Sequence, residues 1–300
     1  MRTIKLFFFS LLFISTSITA QAKEIKLLTS IKPLQLIAAA IQNGINEPDV
    51  LLPLGASAHH YSLKPNDLQR IQDADLFYWI GPNMEVFLTK TVQKRTKPTV
   101  AIQQLANIQL RHFSEQHEEH DDNDHQHQAG SLDPHLWLNP TNAITIATKM
   151  TEDLSTLDPS NKDKYQKNLR EFRKDLNTTD KAIRHSFTNI KLKPFFVFHE
   201  TYNYFEETYD IKHSGVFSLN ASIQPSVKHV AEMKQRLAKA GNSCIFYEPP
   251  VKPKLADTLT QGLPVNVYML DAMGAEIAMN NQGYPKLLVS LAEQLQTCKQ

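Results

Sequence analysis

Apolar runs alternate with amphipathic stretches along most of the chain. Strands are predicted from apolar runs at 24–31, 50–54, 76–80, 99–102, 195–199, 215–219, 244–247 and 265–270. Helices are predicted from amphipathic stretches at 33–42, 66–74, 84–95, 202–209, 227–240, 254–262 and 285–298. Because strands that alternate with helices form βαβ units, the pattern predicts an α/β fold. The two halves repeat the plan, so we expect two lobes, each with a mainly parallel sheet flanked by helices.

A single long helix is predicted between the lobes. Asp158-Pro159-Ser160 is typical of a helix start, and neither Gly nor Pro occurs from there to about residue 187. The prediction is an N-terminal lobe over 23–157, a connecting helix over 158–188 and a C-terminal lobe over 189–300. A stiff connection of this kind predicts only modest closure on a ligand. A surface helix within one lobe is the alternative.

The first 22 residues have the pattern of an export signal. Arg2 and Lys5 precede an apolar run, and the small residues Ala20 and Ala22 form a cleavage site. We therefore expect a cleaved signal peptide and a periplasmic protein, and the short apolar run disfavours an uncleaved anchor. The net charge of +1 gives no reason to expect nucleic acid as a partner. An oxidising compartment favours a disulfide between Cys244 and Cys298, whereas a metal role would lack the CxxC spacing.

One segment, 112–127, differs in kind from its surroundings. It contains five of the chain's 12 histidines, many acidic residues and no aliphatic side chain, so we expect a disordered loop over 112–130. Imidazole and carboxylate groups at this density predict weak binding of divalent metals, and a solvated insertion without a metal role is the alternative. The histidines are His112, His117, His120, His125 and His127.

Three other histidines lie where predicted strands end or where loops follow them. His59 belongs to a loop of small residues, His135 follows Asp133-Pro134, and His199 ends the predicted strand 195–199. In parallel sheets, ligands bind at the carboxyl ends of the strands. Three neutral imidazoles suit Zn²⁺, with a fourth position for water or a carboxylate.

Four segments carry a more specific signal. They are LPLGASAHHYSLKPND at 52–67, DPHLWLNP at 133–140, FHETYNYF at 198–205 and IFYEP at 245–249. In this order they resemble the cluster A-I metal-binding proteins of ABC importers, and the match runs from about residue 24 to the C-terminus. The acidic, His-rich insertion is similar to the zinc-specific branch of that family.

The resemblance implies a metal site in a cleft between two lobes, with His59, His135 and His199 as the ligands. Manganese-binding relatives typically have a carboxylate in place of the third histidine, so His199 favours zinc. The pair Cys244 and Cys298 is similar to the disulfide of the zinc branch. The implied function is capture of Zn²⁺ and delivery to an inner-membrane permease, with periplasmic metallochaperones as further candidate partners and a monomer as the expected state.

The sequence does not determine which group completes the metal site. Ala58 stands where some zinc relatives have a glutamate, so we expect water as the fourth ligand, then Asp271, then His60. Glu200 and Glu248 are candidates for orienting the histidine ligands without binding the metal themselves. A manganese or iron carrier of the same fold is the nearest alternative function. A secreted zinc hydrolase is the alternative from another class, although no HExxH motif is present.

Overall fold

A computed structural model describes residues 24–113, 130–218, 226–250 and 252–300. It contains two four-stranded sheets, one in each half of the chain, and every strand pair in both sheets is parallel. The predicted α/β fold with two lobes is confirmed.

The first sheet has the strand order β2-β1-β3-β4. Its strands are β1 (Leu27–Thr29), β2 (Asp49–Val50), β3 (Leu76–Trp79) and β4 (Thr99–Ala101). β1 and β3 are buried along their whole length, as expected for a sheet covered on both faces. β2 is shorter than the predicted run 50–54, because Pro53 and the turn that follows it end the pairing.

The second sheet repeats the order as β6-β5-β7-β8. Its strands are β5 (Phe195–His199), β6 (Gly215–Ser218), β7 (Ser243–Tyr247) and β8 (Val265–Met269). In each sheet the second strand along the chain lies on one side of the first strand, and the third and fourth strands lie on its other side. Such a switch point opens a crevice at the carboxyl ends of the two central strands.

Helices flank both sheets. In the described residues they are α1 (Lys32–Ile41), α2 (Pro65–Asp73), α3 (Thr89–Gln93), α4 (Pro140–Leu157), α5 (Lys162–Thr188), α6 (Asn203–Tyr209), α7 (Val227–Ala240), α8 (Lys254–Thr260) and α9 (Gly283–Gln296). The helix predicted over 84–95 is a 3-10 turn, Val86–Leu88, followed by the short α3. No helix was predicted at α4, because its β-branched residues obscure the helical period in the sequence. The Asn139 side chain starts α4 by accepting hydrogen bonds from the N–H groups of Thr141 and Asn142.

The connecting helix is α5, with 27 residues. It begins at Lys162, later than the predicted residue 158, because Pro159–Asn161 form a separate 3-10 turn. Near its start, Asn168 donates to the carbonyl oxygens of Ile41 and Asn43 in the first lobe. Near its end, Arg184 donates to the carbonyl oxygen of Thr208 in the second lobe. The helix is therefore held by both lobes.

The last helix, α9, packs against α1 and α5 of the earlier part of the chain. A Cβ atom on Gly283 would lie 2.9 Å from the backbone carbonyl oxygen of Ala278 and 2.7 Å from Leu36 Cδ2, so a larger residue would force the backbone or this contact to shift. One hydrophobic core runs through both lobes, and it contains residues of β1, α1, α5, β5 and α9. The disulfide between Cys244 and Cys298, predicted from the sequence, ties the end of α9 to β7.

The predicted disordered loop has ordered ends. His112 pairs with Leu132 in an antiparallel bridge, and the N–H of Gly130 donates to the carbonyl oxygen of Phe113. Residues 114–129 lie outside the described residues, as do 1–23, which contain the predicted signal peptide. Across the described ranges, none of the helices has both the length and the apolar character needed to cross a membrane.

Candidate metal centre

Three histidines from distant parts of the chain meet between the two sheets. His59 lies in the loop after β2, His135 directly precedes the 3-10 turn Leu136–Leu138, and His199 is the last residue of β5. One nitrogen from each ring lies within 4.8 Å of the other two. The three rings form a nearly equilateral triangle, with centroid distances of 5.4, 5.2 and 5.1 Å. In the described part of the chain, this is the only group of three or more His, Cys, Asp or Glu residues with such spacing.

The spacing of the nitrogens suits a tetrahedral ion. His59 Nε2 and His135 Nε2 are 3.3 Å apart. Two nitrogens bound to Zn²⁺ at 2.0–2.1 Å with a tetrahedral angle are separated by about 3.3–3.4 Å. The imidazoles are also buried, with exposed fractions of 7% for His59, 1% for His135 and 3% for His199. The geometry can therefore enclose a small cation with three neutral ligands.

The loop that carries His59 has a defined shape. Gly55 has a φ of +77°, and the Ser57 hydroxyl accepts hydrogen bonds from the N–H groups of His59 and His60. A Cβ atom on Gly55 would lie 3.3 Å from Pro250 Cγ, so the loops of the two lobes touch here.

A carboxylate that the sequence analysis did not single out orients His135. Asp133 is fully buried, and its Oδ1 accepts from the backbone N–H of His135 at 3.0 Å and lies 2.8 Å from the ring Nδ1. The ring therefore donates through Nδ1, which leaves the lone pair of Nε2 for a metal. The Asp-Pro-His spacing was the signal in the sequence that could have revealed this pair.

His199 is oriented by a hydroxyl and a second carboxylate. Thr201 Oγ1 donates to Glu248 Oε1 at 2.6 Å and lies 2.8 Å from His199 Nδ1. Since the hydroxyl proton is used on Glu248, Oγ1 accepts from Nδ1–H, and Nε2 of His199 faces the other rings. Glu248 Oε1 is itself 3.3 Å from His199 Nδ1. Burial raises the pKa of Glu248, but the nearby His199 and the hydrogen bonds outweigh it, so the pKa lies below its ordinary value.

The other predicted site residues do not belong to this group of three. Glu200 is buried and its Oε1 accepts from Asn203 Nδ2 at 3.1 Å. Asp271 uses both carboxylate oxygens on backbone N–H groups, those of Met273, Gly274 and Ala275. His60 is exposed, and its ring centroid is 6.5 Å from that of His59. His112 stands at the root of the His-rich loop, while His117, His120, His125 and His127 fall outside the described residues.

Comparison with known proteins matches both the sequence and the fold. The family model described as zinc-uptake complex component A, periplasmic, ZnuA, matches residues 27–298. The high-affinity zinc uptake system protein ZnuA of Yersinia pestis is 35% identical over 285 residues, which cover 90% of each chain. A crystal structure of a ZnuA protein is 21% identical with a TM-score of 0.77, covering 93% of this chain and all of that one. A zinc-bound ZnuA deletion mutant is also 21% identical, with a TM-score of 0.74, covering 92% of this chain and 98% of that one.

Proposed function

Because the chain belongs to the family of ZnuA, the periplasmic component of zinc uptake, we propose that it captures Zn²⁺ and delivers it to the permease of an ABC importer. The family model matches nearly the whole chain, and the fold has the two parallel sheets and the long helix of these binding proteins. The ion is the cargo of this protein. Its site needs only to bind and release, and we propose that the chain catalyses no reaction.

The triangle of buried imidazoles carries this proposal. We assign His59, His135 and His199 as the ligands, each through Nε2. Two hydrogen-bonded carboxyl groups, those of Asp133 and Glu248, stand behind two of the rings and increase their basicity. The negative charge behind the rings also compensates part of the charge of a divalent cation. High affinity therefore needs no carboxylate in direct contact with the ion.

The donor set favours zinc over manganese. Imidazole nitrogen is a borderline ligand that suits Zn²⁺, whereas Mn²⁺ prefers carboxylate oxygen. Asp271 is the second candidate for the fourth position, but its two oxygens already accept from the backbone N–H groups of the turn at 273–275. We therefore propose water as the fourth ligand. Withdrawing Asp271 from its turn would expose three backbone N–H groups, and this loss opposes direct coordination.

The proposed setting is the periplasm, reached through a signal peptide over 1–22. The relevant partner is an inner-membrane permease, and periplasmic metallochaperones are candidates for loading. We propose that the working form is a monomer, since the three ligands of the site come from one chain.

Metal titration of site variants tests the assignment. We expect the wild-type protein, stripped of metal with a chelator, to bind one tight equivalent of Zn²⁺ and to bind Mn²⁺ far more weakly. The variants His59→Ala, His135→Ala and His199→Ala should each lose at least two orders of magnitude in affinity, because two imidazoles and water make a poor zinc site.

His213→Ala is the matched control. His213 is, like His135 and His199, close to a carboxylate, in this case Glu206, and its side chain is 10% exposed, but it lies outside the metal group. This variant should keep the tight equivalent. A wild-type protein that binds no tight zinc, or ligand variants that bind like the control, would overturn the proposed function.

A further inference from the structure

One amide side chain, that of Asn203, joins the segment that carries His135 to the segment that carries His199. Asn203 is the first residue of α6, in the second lobe, and is only 6% exposed. Its Nδ2 donates to Asp133 Oδ2 and to Glu200 Oε1, each at 3.1 Å. An amide NH₂ group has two hydrogens, so both are used.

Each acceptor belongs to a segment that carries a metal ligand. Asp133 is two residues before His135 and holds the ring of that histidine through its other oxygen. Glu200 directly follows His199, the last residue of β5. The hydrogen bonds of Asn203 therefore join the segment of His135, in the first lobe, to the segment of His199, in the second.

The chemistry of an amide suits this position. Two acidic side chains at 0% and 4% exposure need donors, because buried acceptors without partners are costly. A lysine or arginine would supply donors but would also place a positive charge beside a cation site. A neutral amide donates one hydrogen bond to each acid and adds no charge beside the imidazoles.

A neighbouring residue reinforces the same connection. The Tyr204 hydroxyl donates to the carbonyl oxygen of Asp133 at 3.1 Å and accepts from the N–H of Arg111 at 2.9 Å. Both contacts cross from α6 to the first lobe. Tyr204 fixes the backbone of Asp133, while the N–H of His135 on Oδ1 and the amide of Asn203 on Oδ2 together set the rotation of its carboxylate and, through it, the ring of His135.

We propose that Asn203 is a positioning residue of the metal site, which fixes His135 relative to His199 before the ion arrives. This inference rests on the proposed function. Its consequence is preorganisation: hydrogen bonds within the protein, rather than the ion, hold the two segments together, so binding has less ordering to supply.

Asn203→Leu tests this role, because it removes both donors at similar volume. Asn168→Leu is the matched control: Asn168 is 5% exposed and its Nδ2 donates to the backbone carbonyls of Ile41 and Asn43, which are not in a segment that carries one of the three histidines. Both variants should lower the melting temperature of the metal-free protein. Only Asn203→Leu should weaken Zn²⁺ binding, by tenfold or more, as measured by competition with a chromophoric chelator.

A spectroscopic readout separates positioning from general stability. Nitrogen NMR of the histidine rings should show a proton on Nδ1 of His135 in the metal-free wild type and in Asn168→Leu. Asn203→Leu should show a mixture of the two tautomers. If Asn203→Leu does not fold, Asn203→Ser, which keeps one donor, should give a smaller loss of affinity with the same change in the spectrum.

Two outcomes overturn the inference while leaving zinc capture intact. One is a wild-type protein with a tight site and an Asn203→Leu affinity within twofold of that of Asn168→Leu. The other is an unchanged His135 tautomer in the Asn203 variant. Absence of tight binding in the wild type itself would instead refute the proposed function.

Discussion

Glu85 should make the stability of the metal-free protein depend on pH. It follows β3 at the switch point of the first sheet, and its side chain is fully buried. Its Oε2 accepts from the N–H groups of Ile80 and Gly81 at 2.7 and 3.2 Å. Burial raises the pKa of Glu85 from 4.5 to about 7, and the nearby Ser30 hydroxyl and these two backbone hydrogen bonds offset only part of the effect.

The direction of the pH dependence follows from the protonation of Glu85 in the folded and unfolded states. Between pH 4.5 and 7 the folded protein keeps the proton of Glu85 and the unfolded chain has released it. The contribution of Glu85 to stability is therefore complete below pH 4.5 and is lost as the pH rises through 7. A difference of roughly 2.5 pKa units corresponds to about 3 kcal/mol, of which roughly 2–3 kcal/mol should be lost between pH 5 and 8.

Glu85→Gln removes the titration and keeps an oxygen that can accept from the same two N–H groups. Urea unfolding of the metal-free wild type and variant at pH 5, 6, 7 and 8 gives the difference in unfolding free energy at each pH. That difference should shift in favour of the variant by roughly 2–3 kcal/mol across the series. A difference that stays constant across the series would refute the reasoning.

Three further predictions concern the disulfide, the His-rich loop and the ligands. Replacing Cys244 and Cys298 by serine should lower the free energy of unfolding in urea by about 4 kcal/mol on the chain-entropy model, because the bridge closes a loop of 54 residues; equal stability would contradict this role. Deleting 114–129 should leave the first zinc equivalent in a calorimetric titration, since the ends of that segment already pair at residues 113 and 130; loss of the first equivalent would show that the site is assigned wrongly. Zinc affinity should fall steadily between pH 7 and 5.5 because each imidazole must be neutral to bind; an affinity independent of pH would exclude histidine ligands.

Much of the fold could be predicted because hydrophobic periodicity reports burial. β3, β5 and β7 are apolar runs, and their predicted positions agree with the structure to within about one residue. The elements that were missed or displaced depend on contacts that periodicity does not encode. α4 is helical despite its β-branched residues because one face of it packs on α1 and α5. The short β2 depends on the turn after it rather than on its apolar run.

The three histidines could be found from sequence, but their surroundings could not. His59, His135 and His199 stand in motifs that are legible along the chain. The partners of the rings depend on side-chain rotation: Glu200, adjacent to His199, faces Asn203, whereas Glu248 reaches His199 from another strand. Asp133 and Asn203 come together only when the lobes dock, so no local pattern could connect them.

The packing of α9 on α1 sets the order in which the chain can fold. α9 completes the core around α1, and Gly283 lies against Leu36 although the two residues are far apart in the sequence. Before α9 emerges, the apolar face of α1 lacks this partner, and the cysteine that follows α9 and bonds to β7 is missing too. The core therefore cannot be completed before α9 has been synthesised. For a chain that is exported unfolded through a membrane, as we propose for this one, the delay keeps the polypeptide competent for translocation until α9 has been made.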